Sequence, residues 1–382
     1  MKNVLIVLTI LLLGCSERSK LKSILSEGSA TFQETLTSEN HEVQIIYGEI
    51  DSDTIIHHIY GDTSQYFYPA SSIKILNVFT SVQWLNEKGL SINTVLKTDS
   101  SEHHPRSLFF DSLFQDSIMV KNLIQKIFVY SDNQASNILY NLMGKDYINN
   151  TLSKLGVKSR IIHQLGESAF AHTPESNSWT FKGTVKDEDE VLELESTKQH
   201  FISNLNPQNQ KKGKGYINQY GELIQEPFDF TVKNYVPVSS LLCALERVIK
   251  PEVFDEDQRF SFKESDQNEL IEIMKLRPKD LPNPIDTLAD NYVKFLVYGD
   301  AENTNYPETV TIMNKVGWAY GYLTDIAYFR DSENNIEFFL AATIHVNENQ
   351  IFNDGIYEYD SVGLPFLGEL GRLVYEYELN SR

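Results

Sequence analysis

The runs best suited to form strands stand at the two ends of the chain, with helical patterning between them. "HEVQIIYGEI" (41–50) and "TIIHHIY" (54–60), separated by Asp51-Ser52-Asp53, alternate well enough to read as a β-hairpin. Near the other end, "TVTIMNKVG", "LTDIAYFRD" and "NIEFFLAATIHVN" read as three strands, the last two joined by a turn at Ser332-Glu333-Asn334-Asn335. Pairing the N-terminal hairpin with the C-terminal strands gives one five-stranded antiparallel sheet with a helical layer alongside. The expected fold class is therefore α+β, an α/β sandwich. A final helix over "GLPFLGELGRLVYEYEL" closes the chain.

With 382 residues, 41% of them hydrophobic, the chain is large enough for a substantial core. Its formal net charge of −20 argues against a nucleic-acid partner, because phosphate binding needs clustered lysine and arginine. The leader "MKNVLIVLTILLLGC" pairs Lys2 with an apolar run, Val4 to Leu13, too short to span a bilayer, and reads as a signal peptide over residues 1–15. Its end, Leu12-Leu13-Gly14-Cys15, resembles a bacterial lipobox, which implies cleavage before Cys15 and lipid attachment to its sulfur. Polar residues 16–38 then read as a tether and 39–382 as the folded domain, lipid-anchored in the bacterial cell envelope and facing the periplasm. Only Cys243 remains, in the apolar run "SSLLCALERV", so a buried inert thiol is expected and no disulfide framework is available.

Between the two strand groups, Pro69 opens a helix whose apolar positions Ile73, Leu76, Phe79, Val82 and Leu85 keep helical spacing until Gly89. Helical patterning returns in "VKNLIQKIF" (120–128) and "ASNILYNLMG" (135–144), with the polar triplet Ser131-Asp132-Asn133 wedged between them. Residues 170 to about 235 alternate charge signs with little periodicity and read as an insertion. Gly213-Lys214-Gly215 lacks the spacing and hydroxyl of a phosphate loop and reads as a solvated turn. No metal site is expected: His57 and His58 are strand neighbours facing opposite sides, and His103-His104 lies in a polar loop. His163 and His172 flank Glu167 and read as surface or hydrogen-bonded histidines.

Ser71, in "YPASSIKI" (68–75), would by itself be read as a helix cap. Lys74 alters that reading, because residues three apart on a helix share a face and an amine beside a hydroxyl can take its proton. Such an amine must have its pKa lowered by burial or by another cation. Ser131, 60 residues beyond Ser71, brings a second hydroxyl, and Asn133 brings an amide. Lys315-Val316-Gly317 adds a lysine and, at the end of a strand, a small residue alongside which a substrate backbone can lie.

Together the three motifs resemble the serine β-lactamase and penicillin-binding protein superfamily, whose signature is Ser-x-x-Lys, Ser-Asp-Asn and Lys-Thr-Gly in that order. The resemblance covers about residues 40 to 380. It implies that Ser71 is the acylated nucleophile, Lys74 its base or proton partner, and Ser131 the relay to the leaving nitrogen. It also implies that Asn133 holds Lys74 and that Lys315 adds positive charge toward Ser131 and a substrate carboxylate. The backbone N–H groups of Ser71 and of Trp318, next after Gly317, would form the oxyanion hole. The aromatic cluster "WAYGYLTDIAYF" (318–329) reads mostly as ordinary strand composition, with Trp318 and Tyr320 as candidates for a site edge. No cofactor is implied. The expected activity is hydrolysis of a β-lactam or related amide through an acyl-serine.

Two departures from the signature stand out. Val316 replaces the family's Thr or Ser, removing a hydroxyl that would bond the carboxylate of a β-lactam, which is worth about 1.5–3 kcal/mol. Glu167 stands 36 residues past Ser131, near where the water-activating glutamate of class A enzymes falls, but Gln164 and Ala171 replace the flanking arginine and asparagine. Two alternatives therefore stay open: a penicillin-binding or esterase-like acylserine protein with poor deacylation, and a non-catalytic lipoprotein that binds cell-wall peptide.

Overall fold

The computed structural model describes residues 20–98, 113–114, 118–166, 183–187, 190–193, 199–282, 284, 288–302 and 304–381. The expected signal peptide, Cys15, His103, His104, Glu167 and His172 lie outside the described residues. Five long strands form one antiparallel sheet: β1 (Glu42–Asp51), β2 (Thr54–Tyr60), β3 (Val310–Ala319), β4 (Tyr322–Asp331) and β5 (Ile336–His345). Their order is β3-β4-β5-β1-β2, so the N-terminal hairpin docks beside β5 as the sequence pattern requires. The β4–β5 turn falls where expected, with Asn335 at φ +56°. This order leaves β3, the strand carrying Lys315 and Gly317, at a sheet edge.

Each face of the sheet carries its own core. On one side lie α2 (Lys74–Glu87), α3 (Val120–Tyr130), α4 (Asn133–Lys154), α5 (Val238–Ile249) and α6 (Glu264–Lys275); α1 (Ala30–Thr37) and α7 (Leu364–Asn380) cover the other. The sequence reading anticipated one helical layer, and there are two. Ile73 just before α2 and Leu76, Phe79, Val82 and Leu85 within it are buried, but so are Asn77, Thr80 and Ser81. The helix is enclosed on all sides, which places Lys74 within the core.

Two boundaries need correcting. Residues 20–37 are not a tether: residues 20–26 and α1 are helical, and Leu21, Ile24, Leu25 and Phe32 are buried against α7, where Phe32 stacks on Phe366 at 4.7 Å. The apolar positions in "LKSILSE" and "ATFQETL" supply an anchoring stripe that the surrounding charge disguised. The segment 170–235 also stops being an insertion before its end. Its middle forms short ribbons: Lys211–Lys212 pairs with Phe228–Asp229, and Gly215–Ile217 pairs with Leu223–Ile224. By contrast Phe230, Asn234 and Tyr235 are core residues, and Tyr235 exchanges both backbone hydrogen bonds with Arg160. Among the described residues no helix is long and apolar enough to cross a membrane.

Candidate active site

Ser71 lies in a short 3₁₀ turn, Ala70–Ile73, that leads into α2. The cap reading fails: no side chain caps this turn, and the local bond from a hydroxyl to the Pro69 carbonyl is made by Ser72, at 2.6 Å. Ala70 stands at φ +46°, a left-handed conformation that costs a non-glycine residue about 1–3 kcal/mol and collects at functional sites. The turn is held open beside β3. A Cβ on Gly317 would stand 2.4 Å from the Pro69 carbonyl oxygen, 2.7 Å from the Ser72 nitrogen and 3.0 Å from the Ser71 nitrogen. Only a glycine lets the edge strand run this close to the Ser71 backbone. That proximity sets the Ser71 backbone against the strand segment that carries Gly317 and Trp318.

The polar corner between α3 and α4 is built from its three residues in turn. Ser131 ends α3 in the left-handed conformation (φ +54°, ψ +39°), and Asp132 caps α4 by accepting the Ala135 N–H at 2.7 Å. Asn133 then opens α4 with its side chain toward Lys74. The Lys74 ammonium donates to the Asn133 Oδ1 at 2.6 Å, to the Ser131 carbonyl and to the Ser131 Oγ at 3.3 Å. Lys315 reaches the same hydroxyl from β3, its Nζ donating to the Ser131 Oγ at 2.8 Å and to the Val316 carbonyl at 2.9 Å. With both lysines donating, the two lone pairs of the Ser131 hydroxyl are taken. Its proton is left to point into the cleft.

Both lysines are almost fully shielded from solvent. Burial brings the Lys74 pKa down to about 7, against a smaller opposing pull from Asp132. Burial, with the charge of Lys74 beside it, also holds Lys315 well below the usual lysine range. A neutral amine at neutral pH is what the base in Ser-x-x-Lys chemistry needs. The Ser71 side chain makes no hydrogen bond among the described residues, but it opens into the same cavity of about 240 Å³ as Ser131, Asn133, Val316, Gly317 and Trp318.

The structure therefore gathers Ser71, Lys74, Ser131, Asn133, Lys315, Gly317 and Trp318 in one place. Glu167 is outside the described residues, although Gly166 before it packs against Asn133. Tyr320 and Trp318 both line a second chamber, which shares Ser71, Asn133 and Trp318 with the first. Among the described residues, His57 bonds Glu246 at 2.6 Å, His58 bonds Glu49 at 2.9 Å, and buried His163 accepts the Asn234 N–H at 3.0 Å. No group of residues able to hold a metal ion occurs among the described residues. Cys243 is half-buried against Arg247, and burial raises its pKa.

Sequence reading missed one wall of the cavity, formed by Tyr292, Val293 and Phe295. Asp325 on β4 fastens it, accepting the backbone N–H groups of Phe295 and Leu296 at 3.0 and 3.1 Å and the Asn314 side chain at 2.8 Å. A signal was present in "LTDIAYFRD", since a carboxylate in the middle of an otherwise apolar strand must find donors.

Residues 29–201, which include Ser71, Lys74, Ser131 and Asn133, match the beta-lactamase enzyme family. No curated protein matches the chain. Among solved structures it is similar to the TLA-3 extended-spectrum beta-lactamase (TM-score 0.55, 14% identity, covering 94% of this chain and 99% of that one). It is also similar to a beta lactamase from Xanthomonas campestris (TM-score 0.51, 12% identity, 94% and 98% covered). A third likeness is to PBP-A in its acyl-enzyme complex with penicillin G (TM-score 0.50, 13% identity, 93% and 96% covered). At such identities the structural likeness is one of fold. The family match thus covers residues 29–201, and the likeness of the chain to these solved β-lactamases and to PBP-A is a likeness of fold.

Proposed function

We propose that the protein is a serine hydrolase that opens amides or esters, β-lactams among them, through an acyl-Ser71 intermediate. The observation that carries this reading is the convergence of Lys74 and Lys315 on the Ser131 hydroxyl at the mouth of the Ser71 cavity. In this scheme the Ser71 oxygen attacks the carbonyl carbon while its proton passes to the neutral Lys74 amine. The oxyanion forms against the N–H groups of Ser71 and Trp318 and collapses as the carbonyl's bond to the leaving group breaks. Ser131 delivers its proton to the departing nitrogen or oxygen and is reprotonated by Lys74. Water then cleaves the acyl ester, with Glu167 as the group proposed to activate it. We also propose a lipid anchor at Cys15 and a place in the cell envelope, on the strength of the lipobox-like leader.

Labelling by a fluorescent penicillin and by a fluorophosphonate tests the acylation step: labelling that Ser71→Ala abolishes supports it, and equal labelling of both proteins overturns it. Glu167→Gln tests deacylation, since accumulation of acyl-enzyme is expected and unchanged turnover would remove Glu167 from the scheme. Release of Cys15→Ser protein from the membrane fraction is the matching test of the anchor.

A further inference from the structure

The cavity reached through Ser131 is where a leaving group must sit, because the departing atom has to meet the Ser131 proton. Its outer wall is apolar and aromatic. Phe295 stacks on Trp318 at 5.5 Å with an interplanar angle of 11°, Val293 and Val316 extend that surface, and Tyr292 stands beside it. Trp318 is 52% exposed and Tyr292 41% exposed, so large apolar area is open at the cleft instead of being spent in the core. None of the described residues lining this chamber carries a charge.

The two nearby lysines lie behind this lining and are already engaged by the protein. Lys315 is engaged by the Ser131 Oγ and the Val316 carbonyl, and Lys74 by Ser131 and Asn133. Both are buried and have depressed pKa values. Val316 offers a carboxylate no hydroxyl, and the nearest acidic side chain on β4, Asp325, is already engaged by the Phe295 and Leu296 N–H groups. A carboxylate entering against this wall would lose hydration and meet Val316 where a hydroxyl would have donated to it, whereas an aromatic ring would gain a stacking partner.

We infer, resting on the acyl-serine reading, that this chamber selects substrates with an uncharged aromatic or apolar leaving group over those whose leaving side bears a carboxylate. In the reaction the bond from carbonyl carbon to phenol oxygen breaks, the acyl group passes to Ser71 and the Ser71 proton to Lys74; an ordinary phenol leaves with the Ser131 proton, which Lys74 replaces, and a nitrophenol leaves as the phenolate.

The test uses two phenylacetyl esters: one of para-nitrophenol, the other of the same phenol carrying a carboxylate beside its nitro group. Both give the same acyl-enzyme, so the burst of nitrophenol, corrected for each ester's hydroxide-catalysed rate, reports the leaving-group chamber alone. The neutral ester is expected to acylate the enzyme at least about tenfold faster. Trp318→Ala is expected to bring that ratio toward one, and Trp318→Phe to restore it. Val316→Thr is expected to raise the rate with the charged ester severalfold. A wild-type ratio of one, or one favouring the charged ester, with bursts that Ser71→Ala abolishes, overturns the inference and leaves the acyl-serine reading standing. No Ser71-dependent burst from either ester removes that reading and the inference with it.

Discussion

Gly317 lies so close to Ser71 that a methyl group on it would fall 3.0 Å from the Ser71 nitrogen and closer still to the Pro69 carbonyl oxygen. The atoms it would meet are backbone and cannot swing aside. Gly317→Ala should therefore push the Ser71 turn away from β3 and open the oxyanion hole. An acylation rate lower by about 10²–10³-fold, measured with a fluorophosphonate, is expected, the scale of losing one oxyanion donor. Wild-type rates in this variant would mean the hole lies elsewhere.

Lys74 gives the reaction its pH dependence. Its folded pKa of about 7 means the amine is protonated and inactive as a base below that pH, and neutral above it. Acylation of a neutral ester should rise through a single step near pH 7 and level off above. Lys74→Arg, which cannot lose its proton, should fall by about 10²–10⁴-fold at every pH. A profile flat from pH 5 to 9 would contradict the assignment.

Ser131 is needed only when the leaving group needs a proton. Ser131→Gly suits the φ of +54° and should not lower the melting temperature. It should slow an anilide by about 10²–10⁴-fold but a para-nitrophenyl ester by less than about tenfold, because nitrophenolate leaves unprotonated. Equal losses on both substrates would reduce Ser131 to a structural residue.

The N-terminal segment is predicted to carry stability and no chemistry. Phe32 is buried and stacked on Phe366, across the sheet from Ser71. Phe32→Ala should cost about 3–5 kcal/mol in denaturant unfolding while the Ser71 labelling of the folded fraction stays unchanged. A cost below about 1 kcal/mol would restore the tether reading.

His57 links stability to pH. Burial pulls its pKa down, but the hydrogen bond and charge of buried Glu246 outweigh that and raise it above the usual histidine value. The stabilisation is fully present below the unfolded value near 6.5 and is lost as pH rises through the higher folded value. The imidazole is more than a third exposed, so the effect should stay within about 1 kcal/mol. The change in unfolding midpoint between pH 6 and 8 should shrink in His57→Gln, and an unaltered pH profile would count against this pairing.

Most of the sheet was legible because runs rich in β-branched and aromatic residues mark strands, even those buried on both faces, and because turn residues such as Asn335 mark the reversals. Ser71, Lys74 and Ser131 were legible because their motifs sit where one element meets the next and such junctions leave local signatures, whereas Lys315, within β3, was legible only through the order of the three motifs. Asp132 capping α4 is an example. Three things were not legible. The anchoring role of Leu21, Ile24 and Phe32 depends on α7, more than 300 residues away, and no local pattern encodes that contact. Phe230 and Tyr235 look like the tail of a charged loop until Arg160 pairs with Tyr235. The wall formed by Tyr292, Val293 and Phe295 is irregular in structure, so neither helical nor strand periodicity marks it, and only its tie to Asp325 shows what holds it.

The central claim is that Ser71 becomes acylated, and locating the adduct tests it most directly. After brief incubation with the para-nitrophenyl phenylacetyl ester and acid quenching, peptide mass mapping should place one phenylacetyl group on the peptide carrying Ser71, with none in Ser71→Ala. A phenylacetyl group on a different residue of the wild type, or undiminished modification of Ser71→Ala, would contradict the account.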